Sequence, residues 1–573
     1  MKTLVLCIVI HLATAHEITV QTNSSTIVGS VKSSYNGDTY FSYTGIPYAK
    51  PPIGPLRFQN PQYPDSQKII IATKEPPLCI QRNYFFHNNP EIEGKEDCLY
   101  LNVFTPKVCQ ESLNDTADCH VMIYIHWGGY FAGGSTTNYL GPDYFMDRKV
   151  VLVTFNYRLG PFGFLSTLDD ESPGNFGLKD QVMALKWVRR NIRHFGGHRK
   201  KITIFGSSVG GGCVHQHLLS ESSRGLFHRA ISQSGNGLAP WALPVNSIQK
   251  KISVYQAQFV GCGNFSNSKE MIECLKSVPA EEIMNSQDYF KQFHNNPLII
   301  YGPVIENKTD RNQNPFLTKS PWDYLLNGEI QKVPWITGLV RDEGLLGILS
   351  LVIPEETRKH LIRDFENLLS NIILVFPIST TDTHALFKNI SEYYFKTEEQ
   401  INLEDPQSLQ GLVNVFSDRG FLYPLSQALK IHIMKGHNSI YLYSFEYKGS
   451  HTYGNLFAHT EGKIDKSWGI CHLDDLLYLF KSPGLVNVTF TSNDKLLREN
   501  LLNIWTDFSS GHNGFIKVQN QIWKPVKSVN EINFLNITGS SNFGLNFQIN
   551  KGFFEDRTNF WSNLSIYENN YMK

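Results

Sequence analysis

The sequence predicts an α/β fold, a large mixed and mostly parallel sheet flanked by helices, with helical insertions over one edge. Three observations point there. Short β-branched runs alternate with amphipathic helical patterns, the strand–helix–strand grammar of a parallel or mixed sheet. No internal repeat, low-complexity stretch or Gly/Ser- or Pro-rich linker divides the 573 residues. One strand pattern runs directly into Gly206-Ser207-Ser208-Val209-Gly210, the glycine-flanked turn that lifts a serine hydroxyl above a sheet where strand becomes helix.

Taken in order, Val121–Ile125 and Val150–Phe155 have the short, apolar, β-branched character of buried strands and end in Gly, Asn or Pro signals. Lys179–Phe195 places Val182, Leu185, Val188, Ile192 and Phe195 at helical spacing, and Gly196-Gly197 stops it. Ile202–Phe205 is the strand that feeds the serine turn, and a helix follows to about Leu219. Val333–Val340 and Ser439–Tyr447 are later strands of the same sheet. The stretches 250–330 and 353–414 are mostly helical with long loops, and these insertions would cover the carboxyl edge of the strands, where open α/β sheets bind ligands.

Composition excludes some functions. Lys+Arg and Asp+Glu are each 52, so the formal net charge is zero. Such a balance leaves no electrostatic footprint for nucleic acid or an anionic membrane surface. Lys2, the apolar run Leu4–Leu12 and Ala13-Thr14-Ala15 have the form of a signal peptide over residues 1–15, and no later run is long enough for a transmembrane anchor. A secreted, extracellular mature chain from about His16 is the expectation. Eight N-x-S/T sequons agree with that route and belong mostly on the surface: Asn23, Asn114, Asn264, Asn307, Asn389, Asn487, Asn536 and Asn563. Local bridges are open to Cys79 and Cys98, Cys109 and Cys119, and Cys262 and Cys274, while Cys213 and Cys471 are expected as buried thiols. No cluster has the pattern of a metal site; on a helix His215 points away from Cys213 and His217.

A serine hydroxyl is a poor nucleophile at neutral pH, so Ser208 needs a base, and the base needs an orienting acid. After a strand-to-helix serine these follow in the order acid, then histidine. The acid candidate is Glu343, just after the strand ending at Val340, with Asp342 its neighbouring rival. The base candidate is His472, in a loop after Gly469. Asp474 and Asp475 beside it are read as solvated or helix N-terminal carboxylates rather than a cation site.

Around these residues stand Glu96-Asp97-Cys98-Leu99-Tyr100-Leu101-Asn102-Val103, Pro55-Leu56-Arg57-Phe58, Asn156-Tyr157-Arg158-Leu159-Gly160, Gly174-Asn175-Phe176-Gly177-Leu178-Lys179-Asp180-Gln181 and Phe195-Gly196-Gly197. With them, over nearly the whole mature sequence, the chain resembles the type-B carboxylesterase family of cholinesterases and insect esterases. The resemblance implies an α/β-hydrolase fold, one catalytic domain over residues 16–573, no cofactor, and a triad of Ser208, Glu343 and His472. It also implies disulfides Cys79–Cys98 and Cys262–Cys274 and ion pairs Arg57–Glu96 and Arg158–Asp180. The oxyanion hole falls on Gly128, Gly129 and Val209, whose backbone N–H groups would face the developing charge.

The chain departs from the family pattern at three places. Trp127 replaces a glycine and narrows the gorge, re-aims the loop or packs outward. Ser207 stands where Glu or Gln is common, and Val209 where Ala is usual. Ser234 is placed to hydrogen-bond the triad acid, and Trp241 to line the acyl pocket. The function implied is hydrolysis of a small apolar carboxylic ester through an acyl-enzyme. A generalist or odorant- or venom-type carboxylesterase ranks first and a juvenile hormone esterase-like enzyme second; a binding or adhesion member of the fold is the third reading. The Ile80–Asp97 loop has no tryptophan for a quaternary ammonium, which argues against a cholinesterase.

Overall fold

The computed structural model of the chain describes residues 17–111, 118–242, 245–375, 378–396, 401–459, 468–511 and 514–572. The signal-peptide segment and Asn114 lie outside the described residues. The strands are β1 (Glu17–Gln21), β2 (Thr26–Ser33), β3 (Thr39–Pro47), β4 (Ile69–Ile71), β5 (Tyr100–Pro106), β6 (Cys119–Ile125), β7 (Val150–Phe155), β8 (Gly197–Ser207), β9 (Arg229–Gln233), β10 (Trp335–Val340), β11 (Ile440–Lys448), β12 (Ile516–Val518), β13 (Gln521–Trp523), β14 (Asn533–Ser540) and β15 (Gly544–Lys551). One sheet runs β1-β2-β3-β5-β7-β6-β8-β9-β10-β11-β14-β15, with β4 beside β2; β12 and β13 form a separate hairpin.

From β7 to β14 every pairing is parallel, and both ends of the sheet are antiparallel except for the short β4, which runs parallel to β2. Parallel strands covered on both faces must be apolar throughout, and all six residues of both β7 and β10 are buried. That is why the sequence pattern yields β7 with its own bounds. The antiparallel strands β1–β3, β5 and β15, with β14, were not among the expected strands; β1, β2 and β15 mix buried with exposed positions, while β3, β5 and β14 hold long buried runs.

The helix expected at 179–195 spans Phe176–Asn191 and closes with a 3₁₀ turn, Ile192–Phe195. Gly196, at φ 85°, then turns the chain straight into β8. The insertion between Ile353 and Asn414 is helical, as expected, over 355–363, 383–394 and most of 406–417.

Two buried ion pairs fix loops to this frame. Arg57 holds Glu96 through Nε at 2.7 Å and Nη2 at 2.6 Å and donates to the Val278 carbonyl. Arg158 holds Asp180 through Nε at 2.8 Å and Nη2 at 2.7 Å, with its own backbone N–H on the same carboxylate. Asp180 is wholly buried. Asp180→Asn would leave the guanidinium buried against a neutral amide, and the expected cost is about 3–5 kcal/mol, read as a lower urea midpoint with the slope unchanged.

All three local disulfides form: Cys79–Cys98, Cys109–Cys119 and Cys262–Cys274. Cys213 and Cys471 are buried thiols, and burial pushes Cys213 up to about 12. Asn23, Asn264, Asn307, Asn389, Asn487 and Asn563 are exposed. Asn536 departs from the surface expectation. It sits within β14, paired on both sides and buried, because the β14–β15 hairpin covers a strand the sequence pattern did not reveal.

Candidate active site

Three parallel strands deliver the site to one sheet edge. β8 ends at the elbow, where Ser208 takes φ 59° and ψ −127°, a region costly for a residue with a side chain. The crowding that fixes it is visible. A Cβ on Gly206 would meet the Ile125 carbonyl at 2.6 Å, and one on Gly210 would clash with the same oxygen. The Ser208 N–H donates to the Gln233 carbonyl at 2.8 Å, and the Ser208 carbonyl accepts from Gly212 at 2.9 Å. Val209 then opens the helix Val209–Leu219. Ser207 lies beneath the elbow, fully buried beside the Tyr124 hydroxyl.

β6 ends at Ile125 and passes into the 126–130 loop. Gly128 has φ 126° and Gly129 φ 62°. The Gly128 carbonyl accepts from the N–H groups of Phe131 and Ala132, closing a tight turn that a side chain on Gly128 would force against the Ala132 carbonyl. His126 is wholly buried and stacked on Tyr157, with ring centres 4.2 Å apart, and burial holds it down at about 4.

β10 ends at Val340, and Glu343 follows, fully buried. One carboxylate oxygen accepts the Val340 N–H at 2.9 Å, and the other accepts from His472 Nδ1. Asp342, the rival acid, has a different task. Its carboxylate accepts the Ile470 N–H at 3.0 Å while its own N–H donates to the Ile470 carbonyl, tethering the histidine loop to the end of β10. His472 Nε2 is buried and makes no hydrogen bond, and Phe421 covers the ring at 5.0 Å.

Asp474 and Asp475 begin a 3₁₀ turn, Asp474–Tyr478, and so lie at a helix N-terminus, but they are buried rather than solvated. Asp474 accepts from the Cys471 and Tyr453 N–H groups and from Thr452; Asp475 accepts from Gln233 and Tyr443. Burial raises them to about 8 and about 6. Among the described residues no group of side chains could hold a metal ion.

Ser208, Val209, Gly129 and Glu343 line one cavity of about 530 Å³. Its walls are mostly apolar, with Trp241, Ile252, Phe290, Leu346, Phe416 and Phe421 among them. Trp241 lies on this wall and donates its indole N–H to the Gly420 carbonyl at 2.8 Å.

Two expectations need correction. Trp127 is not on the cavity wall; its ring turns outward onto Phe86 (5.6 Å) and Tyr139 (6.1 Å). Phe86 comes from the loop before β5, and Tyr139 from later in the same β6–β7 connection as Trp127. Ser234 does not bond Glu343: its hydroxyl is buried without a partner, and the carboxylate accepts from Val340 N–H and His472. Phe421 was not anticipated. It lies in a π-helical turn, Asp418–Leu422, a distortion that often marks functional positions and that carries no sequence signal.

A doubly flanked parallel sheet, a strained serine at its carboxyl edge and a buried carboxylate–histidine pair define an α/β-hydrolase of the serine esterase class. The chain belongs to the carboxylesterase family, whose model matches residues 16–561. It is 44% identical over 560 residues to the juvenile hormone esterase of Tribolium castaneum, covering 96% of this chain and 94% of that one. It is 34% identical over 557 residues to venom carboxylesterase-6 of Apis mellifera, covering 96% and 95%. Its fold superposes on the crystal structure of juvenile hormone esterase from Manduca sexta, with OTFP covalently attached, at a TM-score of 0.81 and 24% identity, over 95% of this chain and 99% of that one. The protein is a carboxylic-ester hydrolase. Among the described residues no helix is long and apolar enough to cross a membrane.

Proposed function

We propose that this esterase acts outside the cell on an elongated apolar ester of the juvenile hormone type, as a single catalytic unit without a cofactor. The observation that carries this reading is the cavity: about 530 Å³, mostly apolar, with Ser208 on its wall. That is ample for a drug-sized apolar molecule, and the 44% identity to the Tribolium castaneum enzyme supports the same class.

The chemistry follows from the commitments of His472. Its Nδ1 proton is held by Glu343, so the lone pair is on Nε2, the nitrogen without a partner. Nε2 takes the Ser208 proton as Oγ attacks the ester carbonyl, and the N–H groups of Gly128, Gly129 and Val209 receive the oxyanion. The imidazolium then protonates the leaving alcohol, and water repeats the sequence on the acyl-enzyme. The Nε2–Oγ bond closes on substrate, as catalytic hydrogen bonds often do.

A series of p-nitrophenyl esters, with juvenile hormone beside them, tests the substrate. Each buried methylene is worth up to about 0.8 kcal/mol, so kcat/KM is expected to rise by as much as about fourfold per methylene until the cavity is filled. A preference for acetate over every longer acyl group would overturn the apolar-ester reading.

A further inference from the structure

Behind the elbow helix lies a chain of three histidines that ester hydrolysis itself does not use. His215 Nδ1 lies 2.8 Å from the Gly237 N–H, and His215 Nε2 lies 2.9 Å from His432 Nε2. His432 Nδ1 lies 2.9 Å from His437 Nδ1, and His437 Nε2 lies 2.7 Å from the Val333 carbonyl. All three rings are buried, and all three pack on Trp335, with centres 5.1, 4.8 and 6.4 Å away.

The two ends fix every proton. An amide N–H only donates, so His215 Nδ1 is an acceptor and its proton sits on Nε2. A carbonyl only accepts, so His437 carries its proton on Nε2 and presents a bare Nδ1. His432 must then accept at Nε2 and donate from Nδ1. Three neutral rings therefore fill four hydrogen bonds with no acceptor left over. A fourth proton has no place in the chain without setting two N–H groups against each other. Lys332, the charged neighbour acting on His432 and His437, adds a further cost to any such proton. Burial holds His215 down at about 3 and His437 at about 4.

What the chain holds is the segment after Ser234. A Cβ on Gly235 would clash with the Ser208 carbonyl, so this segment lies directly against the elbow. The next anchor is Gly237 on His215, and then Ala242, whose carbonyl accepts from Gln216 at 2.9 Å. Between these two anchors stands Trp241, on the cavity wall and 3.2 Å from where a Cβ of Gly212 would be.

We propose that His215, His432 and His437 are positioning residues for ester hydrolysis: their hydrogen-bonded chain pins the Gly235–Trp241 segment to the elbow helix and so sets the Trp241 wall for substrates long enough to touch it. This rests on the esterase reading above. None of the three touches substrate, so their effect falls on KM for long acyl chains and not on turnover of acetate. Acid acts the same way, since protonating the chain breaks one of its nitrogen–nitrogen bonds.

The test compares His215→Leu, which removes the acceptor for Gly237, with His215→Asn, whose carboxamide oxygen can replace Nδ1. For His215→Leu, KM for p-nitrophenyl decanoate is expected to rise about tenfold while kcat for the acetate stays within about twofold; His215→Asn restores the decanoate KM. In wild-type protein the decanoate KM stays level from pH 6.5 to about 5 and rises as pH falls through about 4 towards 3, where the chain takes up a proton, and in His215→Asn that rise is blunted. A flat wild-type KM profile overturns the proposal, even if His215→Leu does not fold. So does equal loss on both esters in both variants, which marks a merely structural role. Wild-type protein that hydrolyses neither ester would instead overturn the esterase reading on which the proposal rests.

Discussion

Ser208→Ala is expected to lower kcat about 10⁶-fold while the protein stays folded. Alanine has no nucleophile, and the remaining oxyanion donors and cavity contacts supply only the residual catalysis that a site without its serine retains. The elbow itself should survive. Its geometry is set by the contacts of Gly206 and Gly210 with the Ile125 carbonyl and by the Ser208 backbone bonds to Gln233 and Gly212, none of which involves the hydroxyl. Thermal unfolding within a few degrees of wild type, with loss of both steady-state turnover and the acylation burst, checks the two halves together.

Glu343→Gln is expected to cost about 10⁴-fold in kcat for a reason specific to this site. The carboxylate accepts two N–H groups, from Val340 and from His472 Nδ1. A carboxamide has one oxygen and one NH₂, so one of those donors must meet another donor. The backbone N–H of Val340 cannot change, so the amide oxygen turns to it and the NH₂ faces His472. The imidazole then accepts at Nδ1 and carries its proton on Nε2, the tautomer that cannot take the Ser208 proton. An active-site proton resonance shifted from Nδ1 to Nε2, with little change in KM, distinguishes this from simple loss of binding.

The chemistry was more legible in the sequence than the walls around it. Ser208 and Glu343 follow the ends of β8 and β10, whose inner residues are buried on both faces, so their apolar runs are unbroken, while His472 lies in the loop after Gly469. β7 could be bounded to the residue for that reason. β1, β2 and β15 have an exposed face, and their mixed pattern resembles loop. Asn536 is buried because β11 and β15 pair with β14 from both sides, a long-range arrangement that a sequon does not reveal.

Side-chain direction was the other blind spot. That Trp127 turns to Phe86 and Tyr139, and that Ser234 leaves Glu343 to Val340 and His472, depends on neighbours from distant segments. Helical spacing did place His215 on the far side from Cys213 and His217. Those two share Gln181, at 3.4 Å and 2.9 Å, while His215 meets His432, 217 residues away. The helix face was readable; the partner across it was not.

The most direct test of the account is to expose the protein to an organophosphate and locate the adduct by peptide mass spectrometry while following turnover of a long-chain ester. One adduct per chain, on the peptide holding Ser208, appearing in step with the loss of turnover, is the predicted result. An active protein labelled at another residue, or one that neither hydrolyses ester nor takes up label, would contradict it.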